Sequence, residues 1–205
     1  MSKDPSTLPV VAAFDFDQTL TYHDTLLPFL FSVSGYPAGF YKLAMQTPKL
    51  IVFLLKKASR QEIKESYLTR FIGGMSKKEA LDKGERFARQ AIQKRLKPAA
   101  LQRLQWHKDQ GHRCVLVSAN LDLYLHPWGK IMGFDEIITS ECHVDDRQIL
   151  TGKLRGLNCW GPEKVRRLNE KMGPRNQYTL YAYGDSEGDR ELLAFADFPF
   201  FRTFS

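Results

Sequence analysis

The sequence predicts an α/β protein: a parallel sheet with helices on both faces, and a helical, basic segment inserted after the first strand. Three observations lead there. Short apolar runs of strand length alternate with helix-like runs from residue 98 to the end, which is the order of a parallel sheet built from strand–helix–strand units. One further apolar run, Val10 to Phe16, stands apart near the start. Between the two, Tyr22 to Lys97 holds 15 Lys/Arg against 6 Asp/Glu, whereas the rest of the chain holds 15 against 17. A charge asymmetry of that size marks a separate unit.

Taken in order, VVAAFDF at Val10–Phe16 is a short buried strand. In the inserted segment, Pro28, Pro37 and Pro48 divide an apolar stretch into short helices. Ser59 followed by Glu62, and Ser76 followed by Glu79, have the spacing of a capping box, in which each side chain satisfies an orphan amide at a helix start. After Ser76 the apolar positions Ala80, Leu81, Phe87, Ala88, Ala91, Ile92 and Leu96 keep a period near 3.6. Pro98 to Gln110 is a helix, with proline in its first turn and Gly111 just past its end. Then follow a strand at Arg113–Ser118, a helix at Leu121–Met132, a strand at Glu136–Ser140 and a hairpin or extended flap between Cys142 and Gly156. Pro162–Met172 is a helix closed by Gly173, and Tyr178–Gly184 a strand. A short helix ends at Leu192–Ala196, and Phe198–Thr203 is the last strand. The expected organisation is a core of residues 1–21 and 98–205 and a helical cap of residues 22–97.

Composition bounds the function. The chain has 205 residues, 43% hydrophobic and 26% charged, which fits a globular protein large enough to hold a core without staples. Cys114, Cys142 and Cys159 form no CxxC pair and read as reduced thiols. The longest apolar run, Leu50–Leu55, is flanked by Lys49 and Lys56 and falls far short of the roughly 18 residues of a membrane span. The apolar stretch Leu8–Phe14 is too short for a signal peptide, so a cytoplasmic location is expected. The five histidines show no ligand spacing. A pI near 9.3 keeps a basic phosphate- or nucleic-acid-binding module in view as an alternative of another class. No zinc pattern, recognition helix or aromatic–basic RNA motif accompanies it, so no specific nucleic acid is expected.

The chemistry-bearing residues stand at strand ends, where ligands of such sheets bind. Asp15 and Asp17 lie in DFDQTL at the end of the first strand. Alternation puts residues i and i+2 on one side, so two carboxylates converge, one able to attack phosphorus and the other to protonate the leaving oxygen and then activate water. Aspartates capping a turn would show the same letters. Ser118 ends the second strand and could donate to a phosphoryl oxygen, or simply begin a helix. Asp185 and Asp189 lie in GDSEGD after a later strand, four apart and so on one helical face, which suits a hard divalent cation; Asp189 could equally cap the turn at Ser186. Lys164 lies in a helix first turn, where the macrodipole disfavours a cation by ~0.3–1 kcal/mol. A local rule broken beside a strand-end crevice points to an anion nearby.

Together these four motifs resemble the haloacid dehalogenase superfamily of phosphatases, and within it the branch of phosphoserine phosphatase, in which a helical cap follows the first motif. The resemblance spans essentially the whole chain, with DFDQTL, the strand ending in Ser118, Lys164 in GPEKV, and GDSEGD as its motifs. It implies a Rossmann-like core, an aspartyl-phosphate mechanism with Asp15 as nucleophile and Asp17 as general acid and base, and phosphoryl oxygens held by Ser118 and Lys164. It further implies Mg²⁺ bound by the Asp15 carboxylate, the Asp17 carbonyl and Asp185, with Asp189 close by or acting through water. Gln18 stands where many relatives have glycine. Asp24 stands where phosphoserine phosphatases use a Glu to read the substrate's amino group, which weakens the case for phosphoserine.

Substrate choice falls to the cap. Leu26, Leu27, Phe29, Leu30, Phe31, Phe40, Tyr41 and Leu50–Leu55 crowd its first half, and the favoured reading is the interior of a small bundle with solvated Lys/Arg outside. The sharper reading is a surface resting on an anionic bilayer. HDTLLPFL and GPEKV also resemble relatives that dephosphorylate phosphatidylglycerophosphate. A phospholipid headgroup phosphate is therefore a candidate substrate, met at the membrane surface in the sharper reading, with a small metabolite such as phosphoserine as the alternative. Asp24 and Asn120 are the expected substrate contacts. Oligomeric state is not legible in the sequence.

Overall fold

The computed structural model describes residues 8–44 and 59–204. Its centre is a five-stranded sheet of β1 (Val10–Phe14), β2 (Arg113–Leu121), β3 (Glu136–Ser140), β6 (Thr179–Gly184) and β7 (Phe198–Phe201), in the order β3-β2-β1-β6-β7. All neighbours are parallel, as the alternation of strands and helices predicts. A separate antiparallel hairpin pairs β4 (Cys142–Val144) with β5 (Leu150–Leu154), where a hairpin or flap was expected.

Period-2 alternation divides β1 between the two faces. Val11 and Ala13 pack with Val115, Val117, Leu180 and Ala182 on one side, and Ala12 and Phe14 with Leu116 and Tyr183 on the other. Helices α1 (Leu26–Ser34), α2 (Tyr36–Ala44), α3 (Arg60–Phe71) and α4 (Lys77–Phe87) precede the second strand, and α5 (Pro98–Asp109), α6 (Asp122–Ile131), α7 (Pro162–Met172) and α8 (Arg190–Phe195) follow the core alternation. At Ser59 the capping box is complete: its hydroxyl accepts from Glu62 N–H, and its own N–H donates to the Glu62 carboxylate. At Ser76 only the first of those bonds forms. The rod that begins at Lys77 does not stay α-helical. It passes through a π turn at Ala88–Ile92 and a 3₁₀ turn at Gln93–Arg95, a change of hydrogen-bond register that apolar periodicity cannot report.

Two details place the insertion. Its ends are stitched together, since Tyr22 N–H donates to Arg95 and Lys97 N–H to Leu20, at 2.9 and 2.8 Å. It also shares its core with the sheet: Phe29, Leu30, Leu68, Phe71, Phe87 and Ile92 belong to one buried cluster with Phe14, Phe16, Tyr124 and Trp128. Phe29 and Phe87 meet Tyr124 at ring distances of 4.7 and 5.4 Å. Phe29 and Leu30 are buried as an interior reading expects, but in a core shared with the sheet rather than inside a bundle of their own, whereas Phe40 and Tyr41 are 63% and 69% exposed. Leu50–Leu55 and Pro48 lie outside the described residues. The three cysteines are free thiols, and among the described residues no helix is long and apolar enough to cross a membrane.

Candidate active site

β1 lies between β2 and β6, where the strand order turns back on itself, and the sheet's register brings the motifs together there. Phe14 pairs with Leu116 of β2 and Tyr183 of β6, so Asp15, Ser118 and Asp185 emerge side by side at the carboxyl ends, the crevice that open parallel sheets use for ligands. Asp15 N–H still donates to Tyr183 at 2.9 Å. All five expected core residues, Asp15, Asp17, Ser118, Lys164 and Asp185, line one cleft of about 600 Å³. β2 does not end at Ser118, as expected, but runs on to Leu121 with an irregularity against β3 between Val117 and Leu121. Such a bulge re-aims side chains beside a site; here it lets Asn120 N–H donate to Ser118 Oγ at 3.1 Å.

The chain turns sharply after Asp15. Leu20 and Thr21 N–H both return to the Phe16 carbonyl, and Gln18 takes φ 59°. That left-handed conformation is the one glycine adopts at least cost, which accounts for the glycine expected there in relatives. Thr19 Oγ1 donates to Asp185 Oδ1 at 3.2 Å. Asp17 Oδ1 accepts from both the hydroxyl and the N–H of Thr25, at 2.7 and 3.1 Å, while its Oδ2 accepts from Asn120 Nδ2 at 2.6 Å.

Lys164 is 2% exposed, and its ammonium lies 2.5 Å from Asp15 Oδ1 and 2.6 Å from Asp189 Oδ1. The lysine that seemed misplaced against its helix dipole is therefore the buried counter-charge of the site. Asp189 Oδ2 accepts in addition from Asp185 N–H, Ser186 N–H and Ser186 Oγ at 3.1, 3.0 and 2.9 Å. Asp189 thus caps its turn, one of the two alternatives the sequence left open, and also holds Lys164, a contact the sequence did not suggest.

Electrostatics separates these carboxyls. Burial pushes Asp15 up to about 7 although Lys164 pulls the other way. Asp17 is raised well above the usual carboxylate range by burial and then by Asp24, the direction that suits a proton donor near neutral pH. Asp185 is raised by burial and by Asp189. Burial also penalises the charge on Asp189, but Lys164 and the Ser186 donors outweigh it and hold its carboxyl down. Lys164 is held up: burial alone would lower it, and Asp15 and Asp189 more than compensate.

Oxygens of Asp15, Asp185 and Asp189 lie within 4.8 Å of one another. Three buried carboxyls face one ammonium, and this oxygen-only donor set with excess negative charge fits a hard divalent cation such as Mg²⁺. Asp15 and Asp185 would hold it, with Asp189 behind them. Of the expected substrate contacts, Asp24 lines the cleft but is exposed and accepts from Leu26 N–H at 2.9 Å, and Asn120 faces Asp17. Sequence reasoning missed Thr25, Lys64, Asn158 and Trp160. Lys64, Asn158 and Trp160 line the cleft, and no short-range pattern announces any of the four; Lys64 and Asn158 meet each other across 94 residues.

Comparison with known proteins agrees with this geometry. The haloacid dehalogenase-like hydrolase model matches residues 12–194. The chain is 33% identical to Protein CicA of Caulobacter vibrioides over 196 residues, 96% of this chain and 87% of that one. Among solved structures it resembles a protein of unknown function from Bordetella pertussis Tohama I, with TM-score 0.79 and 23% identity over 92% of this chain and 87% of that one. It also resembles a phospho-aspartyl intermediate analogue of phosphoserine phosphatase, with TM-score 0.59 and 16% identity over 93% and 84%. With all four motifs gathered at one sheet edge and the family's pattern matched along nearly the whole chain, this protein belongs to the haloacid dehalogenase-like hydrolases.

Proposed function

We propose that the protein is a Mg²⁺-dependent phosphomonoester hydrolase that works through an aspartyl-phosphate on Asp15. The observation that carries the reading is the convergence of Asp15, Asp17, Ser118, Lys164 and Asp185 on one cleft. An Asp15 carboxylate oxygen attacks phosphorus, the bond from phosphorus to the leaving oxygen breaks, and the proton held by Asp17 passes to that oxygen. Asp17, now ionised, takes a proton from water as the water oxygen attacks phosphorus, which releases inorganic phosphate and restores the Asp15 carboxylate. Ser118 and Lys164 hold the phosphoryl oxygens in both steps. When bound, Mg²⁺ supplies positive charge that offsets the charge on the phosphoryl oxygens. In phosphoryl transfer, positioning and charge stabilisation of this kind carry most of the barrier reduction.

The inserted segment, residues 22–97, acts in this reading as a cap that bounds the leaving group. Leu26, Leu27, Pro28, Ile63 and Tyr67 line the cleft from the insertion beside the basic Arg60 and Lys64, while Asp24 is engaged by its own chain. This supports a phosphate carried on an apolar body, a phospholipid headgroup phosphate such as that of phosphatidylglycerophosphate, over an amino-acid phosphate. Turnover of p-nitrophenyl phosphate with and without Mg²⁺ tests the reaction class, and Asp15→Asn should abolish it while the fold is kept. Persistent activity in that variant removes the nucleophile assignment. A panel of phosphoserine, sugar phosphates, nucleotides and phosphatidylglycerophosphate in detergent tests the substrate, and a preference for phosphoserine overturns the lipid reading. Salt-sensitive DNA retention without hydrolysis of any monoester would favour the nucleic-acid-binding class instead.

A further inference from the structure

Lys64 is a cation in an unusual place. It sits on α3, within the insertion, yet it is 92% buried by its residual exposure of 8% and reaches into the wall of the cleft. Its ammonium donates to the Ala119 carbonyl and, at 2.9 Å, to Asn158 Oδ1. Neither partner is charged. Four charged or titratable groups face it from the elements packed around it: Asp17 and Asp24 after β1, Cys142 on β4, and Cys159 in the loop before α7. Burial outweighs them and holds the lysine down at about 8. An ammonium buried against neutral acceptors costs several kcal/mol that an apolar side chain would not, so its retention calls for a task.

Its partners show what the task is. Ala119 lies between Ser118 and Asn120, the two residues through which β2 reaches the site. Asn158 lies in the loop that leads into α7 and Lys164, and its Oδ1 also accepts from Ser140 Oγ at 2.9 Å. One turn earlier on α3, Gln61 Oε1 accepts from the Asn158 N–H at 3.1 Å, so α3 grips Asn158 by both its backbone and its side chain. A single ammonium therefore joins the insertion, the Ser118–Asn120 strand end and the approach to Lys164. We propose that Lys64 is a positioning residue: a latch that holds α3 of the insertion shut over the phosphoryl-binding edge of the sheet.

The consequence for kinetics rests on the phosphatase reading, whereas the consequence for backbone opening does not. If the latch sets the fraction of molecules in the closed, competent arrangement, losing it raises the apparent KM in inverse proportion to that fraction and leaves kcat alone. A residue that merely stabilised the fold would lower the active fraction of enzyme, and with it kcat, at constant KM.

The test uses the full chain and three variants. Hydrogen exchange of Lys64→Met should accelerate in Arg60–Phe71 and at Ala119 while the remaining strands keep wild-type protection; uniform acceleration, or none, overturns the latch. With p-nitrophenyl phosphate and Mg²⁺, Lys64→Met should raise KM tenfold or more with kcat within about threefold, and an unchanged KM overturns the positioning role. Lys64→Arg should restore KM toward wild type. Asn158→Ala, which removes one of the latch's two acceptors, should raise KM in the same direction, and an unchanged KM there overturns the proposal even if neither Lys64 variant folds. Absence of all turnover with the exchange result intact would sink the phosphatase reading and leave the latch standing.

Discussion

Asn120 donates from Nδ2 to Asp17 Oδ2 at 2.6 Å, across 103 residues of sequence. With Thr25 on the other oxygen, it fixes the carboxyl that the proposed mechanism uses as acid and base. Both donors favour the ionised form and so work against burial, which pushes the Asp17 carboxyl up.

Asn120→Ala should therefore cut kcat by about 10- to 100-fold, the worth of one hydrogen bond to a charged group, with a smaller change in KM. The Asp17 pKa should rise further, moving the corresponding limb of the kcat–pH profile upward. The opposite split, a raised KM with kcat intact, would return Asn120 to the substrate contact that its sequence position suggests.

The legible part of the site is the part written at strand ends. Asp15, Ser118 and Asp185 could be placed because each follows an apolar run that a parallel sheet must align. Lys164 could be placed because a lysine in a helix first turn breaks a local rule. Asn120 was legible as facing the crevice and not in its role, because the bulge that turns it depends on how β2 pairs with β3. Thr25, Lys64 and Asn158 carry no local signature. Their partners lie 8, 55 and 94 residues away in sequence, and only the packing of the insertion onto the sheet brings them together. The same packing decides that Phe29 is buried and Phe40 is not, a distinction absent from their shared hydrophobicity.

Lys164→Met should destabilise the metal-free protein by about 3–5 kcal/mol at neutral pH, the cost of leaving buried charges without their partner. The sign of its pH dependence follows from the carboxyls. Without the ammonium, which favours the ionised form of both, the folded-state pKa values of Asp15 and Asp189 move up from those of wild type, so the variant loses stability relative to wild type as pH rises through the carboxylate range. The deficit against wild type should be small at pH 4 and grow toward pH 7, and added Mg²⁺ should recover part of it. Thermal melts at the two pH values check this, and a deficit independent of pH would contradict the charge account.

His107 gives the opposite sign. It is fully buried, with Nε2 2.9 Å from the Tyr183 hydroxyl and Nδ1 2.8 Å from His112 Nδ1. Burial first, then His112 and Arg103, hold it down at about 4. The unfolded chain takes up a proton near 6.5 that the folded protein refuses. The neutral ring's contribution is thus intact above 6.5 and lost as pH falls toward 4, on the order of 3 kcal/mol in all. His107→Gln should melt lower at pH 7 but lose less on acidification to pH 4.5 than wild type does, and parallel losses would show that other groups set the acid limb.

Gly84 sits inside α4, where helix propensity alone would make alanine the better residue by about 1 kcal/mol. A Cβ there would meet the Leu123 carbonyl oxygen at 2.1 Å and its carbon at 2.7 Å, and these are backbone atoms of α6 with no rotamer to change. The bare glycine is what lets the insertion lie directly on the helix that follows β2, in the same contact that packs Phe87 against Tyr124. Overpacking against a fixed backbone typically costs about 1–3 kcal/mol and opposes the propensity gain. Gly84→Ala should therefore lower stability, measured by urea unfolding, and open the Phe87–Tyr124 contact. A stabilised variant would mean that α4 can slide on α6 without loss, and that the insertion is less firmly seated than its buried aromatic cluster implies.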